Sequence, residues 1–496
     1  MPATPGLRQA RRLANPIARF WLAAALSLGA IGPAVGAGSE RALIRDAGFR
    51  DGDVGYVVFD LQAGEVVRSH QPEKPFIPAS MVKIATALAA LEILGPDHRF
   101  LTRVLARRTG EGLHLHLAGG GDPVFVQEHV HGLARVLATA VAGRDIAQFT
   151  FDEALLPSVP QIDPSDDGLK PYNPPVSALS VNFNRQWLRW VRDGETRAML
   201  VSIRPELDHA VAGIAARTLA DGRLIQAIDG LRTVYLLDPR VPSAGQRQVT
   251  VRRPALRTAA MLRAYAAREG LIVPPPQRRP VPPPGAEAVA AHLSDTLLEI
   301  SENLLKYSNN LSAELVGLAA ARALRPDVPD LSAGAAVVSA WLGQKVPELA
   351  GNGWRVPNQS GLSGAARATP GALLALLRYA ADREYAQPPD AAEIDGEAKP
   401  FLTLLREPRW TGKDDDLEVR GKSGTMFYAR GNAGALRGAS GKPMLFVLMH
   451  NDLDARQRYE SDPARFTAPV QIAARAWLAR ARRLEQSVIL HWVATL

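Results

Sequence analysis

Two runs near the start of the chain, Val54 to Asp60 (VGYVVFD) and Glu65 to His70 (EVVRSH), are rich in apolar and β-branched residues and flank the turn LQAG. Together they predict a strand hairpin. An apolar stretch opens at Ser80, with Ile84, Leu88 and Leu91 on a common helical face, and predicts a helix. Near the other end GKSGTMFYA, GNAGALRG and PMLFVLMHN predict three successive strands, with a helix from about Thr467 to Arg483 after them. Strands at both ends with helices between predict one split α/β (α+β) domain.

The middle of the chain has a different texture. From about Arg107 to Pro284 it carries strand-like stretches such as LHLHLAG and AMLVSIRP, many Gly and Pro residues, and a terminal VPPPQRRPVPPPG at 273–285. This predicts a β-rich module over 107–285, inserted between 38–106 and 286–496, with the stiff proline segment as its hinge. Its length is ample for a core of its own. Beyond it, LLEISENLLKYSNNLSAELVGLAAARAL predicts helices interrupted by a polar turn at Ser308 to Asn310. No internal repeat is present.

Residues 1–37 stand apart. Arg8, Arg11, Arg12 and Arg19 precede an apolar stretch from Phe20 to Ile31 and the small residues Val35-Gly36-Ala37. That order predicts a cleavable export signal, hence a periplasmic protein, and the apolar part is too short to favour a spanning helix. The Arg11-Arg12 pair also permits a twin-arginine signal.

The full chain of 496 residues has a formal charge of +8, but without those four arginines 54 basic residues face 50 acidic ones. So mild a surplus gives no argument for nucleic acid and suits proximity to anionic polymers. Cysteine is absent, which excludes disulfides, a thiolate nucleophile, Cys-ligated metal and a lipid-modified Cys. The apolar ending SVILHWVATL is far shorter than a membrane span. With Arg475, Arg480, Arg482 and Arg483 upstream it predicts the end of a packed amphipathic helix, so membrane contact is at most peripheral.

Only nine of the 58 basic residues are lysines, so positions that keep Lys call for inspection. Unlike Arg, Lys can lose its proton when desolvated or near positive potential. One such position is Lys83, in Ser80-Met81-Val82-Lys83. Were Ser80 only a helix cap, Glu or Gln would be the usual fourth residue of the box. Positions i and i+3 share a helical face, so the Lys83 amine can reach the Ser80 hydroxyl and act as its base. A serine at a helix start also has its backbone N–H free for an oxyanion.

A second such position is Lys422, at the start of a predicted strand and followed by Ser423-Gly424-Thr425, small residues beside which a substrate backbone can lie. GKSGT shares part of a phosphate loop, but the upstream glycine spacing is missing and a strand follows.

Ser80-Met81-Val82-Lys83, Ser308-Asn309-Asn310 and Lys422-Ser423-Gly424 occur in the order of the Ser-x-x-Lys, Ser-x-Asn and Lys-Thr-Gly triplet of penicillin-binding proteins and β-lactamases. Two other Ser-x-Asn matches, at Ser180 and Ser301, are read as cap or turn residues. The large separation of Lys83 from Ser308 resembles the D-alanyl-D-alanine carboxypeptidase/endopeptidase family, peptidase family S13 (class C low-molecular-mass penicillin-binding proteins), which carries inserted domains there. GGGDP at 119–123, PYNPPVSALSVNFN at 171–184 and SGLS at 360–363 are similar to further segments of that family.

The resemblance implies a penicillin-binding-protein/β-lactamase-like transpeptidase fold and a serine DD-peptidase that cuts D-Ala-D-Ala, and possibly D-Ala cross-links, in peptidoglycan. It implies Ser80 as nucleophile, Lys83 as base, Ser308 as proton relay to the leaving amine, and Asn310 holding Lys83 and the substrate amide. The Ser80 and Thr425 N–H groups form the oxyanion hole, and Lys422, Ser423, Gly424 and Thr425 bind the substrate carboxylate end. Peptidoglycan stem peptides are the implied partners and β-lactams the implied acylating inhibitors, with no metal or organic cofactor. This chain departs from the family pattern at Asn309 (usually Asp), Ser423 (usually Thr) and Asn358-Gln359 (usually Asp-Gly), the last removing a carboxylate from loop support.

Two alternatives share these residues: a wall-binding or scaffolding protein with poor turnover, and a serine β-lactamase or esterase, which the long insertion disfavours. His114 and His116 alternate on one predicted strand face as metal ligands would, but without His-Glu-x-x-His or a carboxylate cluster they are read as solvent-facing.

Overall fold

The structure, a computed structural model, describes residues 39–166, 170–192, 199–204, 225–229, 232–236, 244–351, 353–386, 398–408 and 417–496. The expected export signal lies outside the described residues. The two ends of the chain meet in one antiparallel five-stranded sheet, ordered Val419–Met426, Ala429–Arg437, Pro443–Asn451, Val54–Asp60, Glu65–His70. Val57 pairs with Val447 at its centre. Helices cover both faces, which is why its central strands read as continuous apolar runs rather than alternating ones.

Strand alternation sorts those runs between two cores. Val54, Tyr56, Val58, Phe446 and Leu448 meet the C-terminal helix Ala468–Thr495 through Trp477, Leu484, Val488 and Trp492. Val57, Phe59, Leu445, Val447 and Met449 face the opposite core, with Leu88, Leu315 and Leu376 from the helices Val82–Leu94, Asn310–Leu324 and Pro370–Ala381. The C-terminal helix runs twelve residues beyond the expected Arg483 and consumes the apolar ending. Val488, Ile489 and Trp492 are fully buried there, and the Trp492 indole donates to Glu40 at 3.2 Å. Among the described residues no helix is long and apolar enough to cross a membrane.

A second five-stranded sheet occupies the middle of the chain, in the order Gln277–Arg278, Ile146–Asp152, Gly112–Ala118, Leu101–Thr109, Glu287–Leu293. Gly112–Ala118 and Ile146–Asp152 are parallel and joined through the helix Gln127–Ala140, a β-α-β crossover; that helix and Pro254–Arg268 share the module's core. The module is therefore α/β in character rather than simply β-rich. Leu101–Thr109 pairs with Glu287–Leu293, so this sheet reaches past residues 107 and 285 on both sides. The proline-rich segment, expected as a hinge, lies along the sheet edge, where Gln277 and Arg278 pair with Thr150 and Phe151.

His114 sits half-buried on the Gly112–Ala118 strand, but His116 is fully buried, against the expectation of a solvent-facing residue. Its Nε2 lies 2.7 Å from Asp152 Oδ2 and its Nδ1 2.8 Å from Thr150 Oγ1, so both ring nitrogens are satisfied by the neighbouring strand.

Among the described residues Trp492 is the largest of the fully buried side chains. Trp492→Ala is expected to destabilise the protein by about 3–5 kcal/mol, read as a lower urea midpoint. An unchanged midpoint would show that the last helical turns do not contribute to the core.

Candidate active site

Ser80 does not open an α-helix directly. It lies in a 3₁₀ turn, Ala79–Met81, that feeds the helix Val82–Leu94. Ala79 has φ 47, a left-handed conformation that strains any residue with a Cβ. The turn is clasped from two sides. A Cβ on Gly361 would fall 2.0 Å from Ala79 O, and one on Gly424 would fall 2.2 Å from Pro78 O. Gly424 thus makes room for this chain's own backbone, not only for a substrate alongside its strand.

One residue into the α-helix stands Lys83, with no exposed surface. Its Nζ lies 3.0 Å from Ser80 Oγ, 2.7 Å from Asn310 Oδ1 and 2.7 Å from Ser360 O. Burial drives its pKa well below the usual lysine range and the nearby Lys422 lowers it further, while Glu314 opposes both. Hydrogen-bond counting is compatible with the neutral form. Two of the three neighbours are carbonyl oxygens that only accept, and a neutral amine has two N–H donors for them plus one lone pair for the serine O–H.

Ser308 and Asn310 come from the break between two helices, Leu297–Tyr307 and Asn310–Leu324. Ser308 is the left-handed residue that ends the first (φ 60, ψ 37). Asn309 caps the second by accepting from Ser312 N at 3.1 Å, a task its amide oxygen performs as an Asp would. Asn310 then points inward: its Oδ1 accepts from Lys83 and its Nδ2 donates to Tyr172 O at 2.8 Å, which ties the inserted module to the site. Ser301, read as a cap or turn residue, lies buried inside the first helix instead.

Lys422 enters from the Val419–Met426 strand and is 2% exposed. Its Nζ donates at 2.9 Å to both Ser308 Oγ and Ser423 O. Burial, with Arg430 and Arg406 nearby, lowers its pKa to about 7. Ser80, Ser308, Asn310, Ser423 and Thr425 border a common cavity of about 420 Å³. Ser165 and Tyr172 of the inserted module form another wall, and Arg465 bridges the two parts by donating to Ser165 O at 2.8 Å.

The three motifs therefore converge on one cleft. A serine hydroxyl bonded to an amine shifted toward neutrality, and a second hydroxyl bonded to a second buried lysine, meet at one cleft, an arrangement suited to acyl transfer. Residues 41–469 match the D-Ala-D-Ala carboxypeptidase 3 (S13) family. The chain belongs to this family.

Among its relatives is the D-alanyl-D-alanine carboxypeptidase of Actinomadura sp. (strain R39), 28% identical over 447 residues that cover 83% of this chain and 80% of that protein. Penicillin binding protein 4 (dacB) from Haemophilus influenzae superposes with a TM-score of 0.64 at 17% identity, covering 92% of this chain and 99% of that one. The structure of the same protein complexed with a novel beta-lactam gives a TM-score of 0.64 at 16% identity, with the same coverage. These likenesses establish the α+β penicillin-binding fold.

Against the S13 pattern, the departure at Asn358-Gln359 has a structural answer. Glu314, one helical turn beyond Asn310 and fully buried, accepts from Gln359 N at 3.0 Å and from Ser360 N at 2.8 Å. It thereby holds the loop whose Ser360 carbonyl receives Lys83. Burial raises the Glu314 pKa, opposed by its hydrogen bonds from Ser360 and Gln359 and by Lys83. Asn358 steadies the loop from within, donating to Leu362 O at 3.0 Å. Gln359 lies over Gly317, and its carbonyl accepts from Thr86 Oγ1 at 2.7 Å. Glu314, Gly317 and Gly361 were not among the expected site residues, although Gly361 falls within SGLS at 360–363.

One group elsewhere in the module resembles a ligand set: Asp122, His129 and His292 place ligand atoms within 4.8 Å of one another. His129 Nδ1 accepts the Val126 N–H at 3.3 Å, so the neutral ring carries its proton on Nε2 and has no lone pair left for a cation.

A Cβ at Gly317 would meet Gln359 Cγ at 2.3 Å. Gly317→Ala is therefore expected to lower the melting temperature by several degrees, and Gln359→Gly is expected to rescue it, a coupling of about 1 kcal/mol or more in a double-mutant cycle. Additive effects would show that the clash is relieved elsewhere.

Proposed function

We propose that this S13 serine DD-peptidase acts through an acyl-enzyme on Ser80. The observation that carries the reading is the fully buried Lys83 amine 3.0 Å from the Ser80 hydroxyl. In its neutral form Lys83 takes the Ser80 proton as Oγ attacks the carbonyl between two D-alanines. The backbone N–H groups of Ser80 and Thr425 receive the oxyanion. Collapse breaks the amide bond, and Ser308, whose oxygen accepts from Lys422, relays the proton held by Lys83 to the departing D-alanine nitrogen, which returns Lys83 to its neutral form. Water then attacks the ester, Lys83 again serving as base, and frees the shortened peptide and Ser80. No step calls for a metal or organic cofactor.

Lys422, Ser423 and Thr425 receive the terminal carboxylate, with Gly424 letting the strand lie close to the Ser80 turn. Asn310 orients Lys83 and offers its second amide hydrogen to the substrate. Peptidoglycan stem peptides are the substrates and β-lactams the acylating inhibitors, since both present a carboxylate beside a strained or scissile amide. The arginine-rich, apolar and small-residue order of 1–37 supports export to the periplasm after signal cleavage.

Intact-protein mass spectrometry after incubation with benzylpenicillin is expected to show one covalent adduct, absent from Ser80→Ala. An adduct that persists in Ser80→Ala, or none on the folded protein, would remove Ser80 as nucleophile and favour a wall-binding role. Lys422 adds a pH signature. Below pH 7 its ammonium attracts the carboxylate, and as the pH rises through about 7 that attraction is lost. KM for a D-Ala-D-Ala peptide is therefore expected to rise several-fold, roughly 3- to 10-fold, between pH 6 and pH 9, while a C-terminal carboxamide analogue shows a flat KM. The same rise for both would assign the titration to another group.

A further inference from the structure

Next to the carboxylate end of the cleft lies a buried ion pair that the reaction scheme leaves unused. Arg430, on the strand Ala429–Arg437, is the register partner of Thr425. Its Nη1 donates to Thr425 Oγ1. Its Nε and Nη2 donate at 2.8 Å and 2.7 Å to the two carboxylate oxygens of Glu485, which comes from the C-terminal helix and is 1% exposed. Asn432 Nδ2 adds a contact to Glu485 at 3.4 Å.

This fork-to-fork geometry fixes the guanidinium in one orientation. A guanidinium has only donors, so toward Arg430 the Thr425 hydroxyl can act only as an acceptor. Its own hydrogen must then point elsewhere, and Thr425 is exposed at the cavity. Without such a partner the hydroxyl could rotate and present a lone pair to an incoming anion.

We propose that Arg430, fixed by Glu485, is a positioning residue for carboxylate recognition: it locks Thr425 Oγ1 as an acceptor and so aims the Thr425 O–H at the substrate's terminal carboxylate. This rests on the DD-peptidase reading above. It also supplies a carboxylate contact that does not titrate with Lys422, whose protons are shared with Ser308 and Ser423. Arg430 keeps its charge throughout.

The test compares a peptide ending in D-Ala-D-Ala with the same peptide ending in a carboxamide. Arg430→Gln alone strands a buried carboxylate, so it is paired with Glu485→Gln, and Arg430→Lys serves as the conservative variant. The paired variant is expected to lose about tenfold in kcat/KM, mainly through KM, for the carboxylate substrate and less than about twofold for the carboxamide, with Arg430→Lys intermediate. In a Thr425→Val background the paired change is expected to cost no further discrimination.

Equal losses for both substrates, undiminished discrimination in the paired variant, or an additional loss in the Thr425→Val background would overturn the proposal while leaving the peptidase reading intact. Failure of the unaltered protein to cleave either peptide or to form a penicillin adduct would overturn both.

Discussion

A primary amine sealed from water must place every hydrogen and lone pair, and the site around Lys83 is organised by that requirement. Asn310 Oδ1 and Ser360 O take its two N–H groups in the neutral state, leaving the lone pair for Ser80. Each acceptor is itself held in place. Asn310 is anchored through Tyr172 O, and Ser360 sits in a loop whose backbone N–H groups are gripped by Glu314. An arginine at position 83 could not yield a lone pair, and an exposed lysine would remain an ammonium. Reactivity and burial are therefore one constraint, met by segments far apart in the chain.

Much of this was legible beforehand because the chemistry is carried by rare residues at fixed spacing. Lysine scarcity pointed to Lys83 and Lys422, and each lies buried against one serine of the cleft, Lys83 beside Ser80 and Lys422 beside Ser308. Short apolar, β-branched runs bounded by turn residues located the five strands of the main sheet. The local detail around Ser80 was not legible: i,i+3 spacing fits a 3₁₀ turn followed by a helix as well as it fits a helix alone. Nor could periodicity reveal that His116 faces a parallel neighbour, since period two fixes a face but not what covers it. Glu314 escaped because a single acidic residue in an apolar helix has no pattern, and its value comes from two backbone N–H groups that only the fold brings near.

The loop at 358–361 departs from the S13 pattern in sequence and is held by groups on several elements. Asn358 bonds within the loop, Gln359 fills the space above Gly317, and Glu314 supplies the carboxylate from a different element. What the surroundings preserve is the position of one carbonyl oxygen, that of Ser360. Gly361 and Gly424 serve the same end by letting two backbones pack against the turn that holds the strained Ala79. Side-chain identity matters less there than the distance of closest approach.

The central pairing of Val54–Asp60 with Pro443–Asn451 has a consequence for the order of events in making the enzyme. The first strand is synthesised early, yet its partner emerges from the ribosome only after the whole middle module and the helices that follow it have been made. Ser80 and Lys83 then wait without Lys422, Thr425 or the closing helix, and the middle module has all its own strands available sooner. Contacts of such long sequence separation form late and slowly. A nascent chain that stops short of Val419–Met426 consequently carries Ser80 and Lys83 without Lys422 and Thr425, so the cleft closes only once that strand has been made.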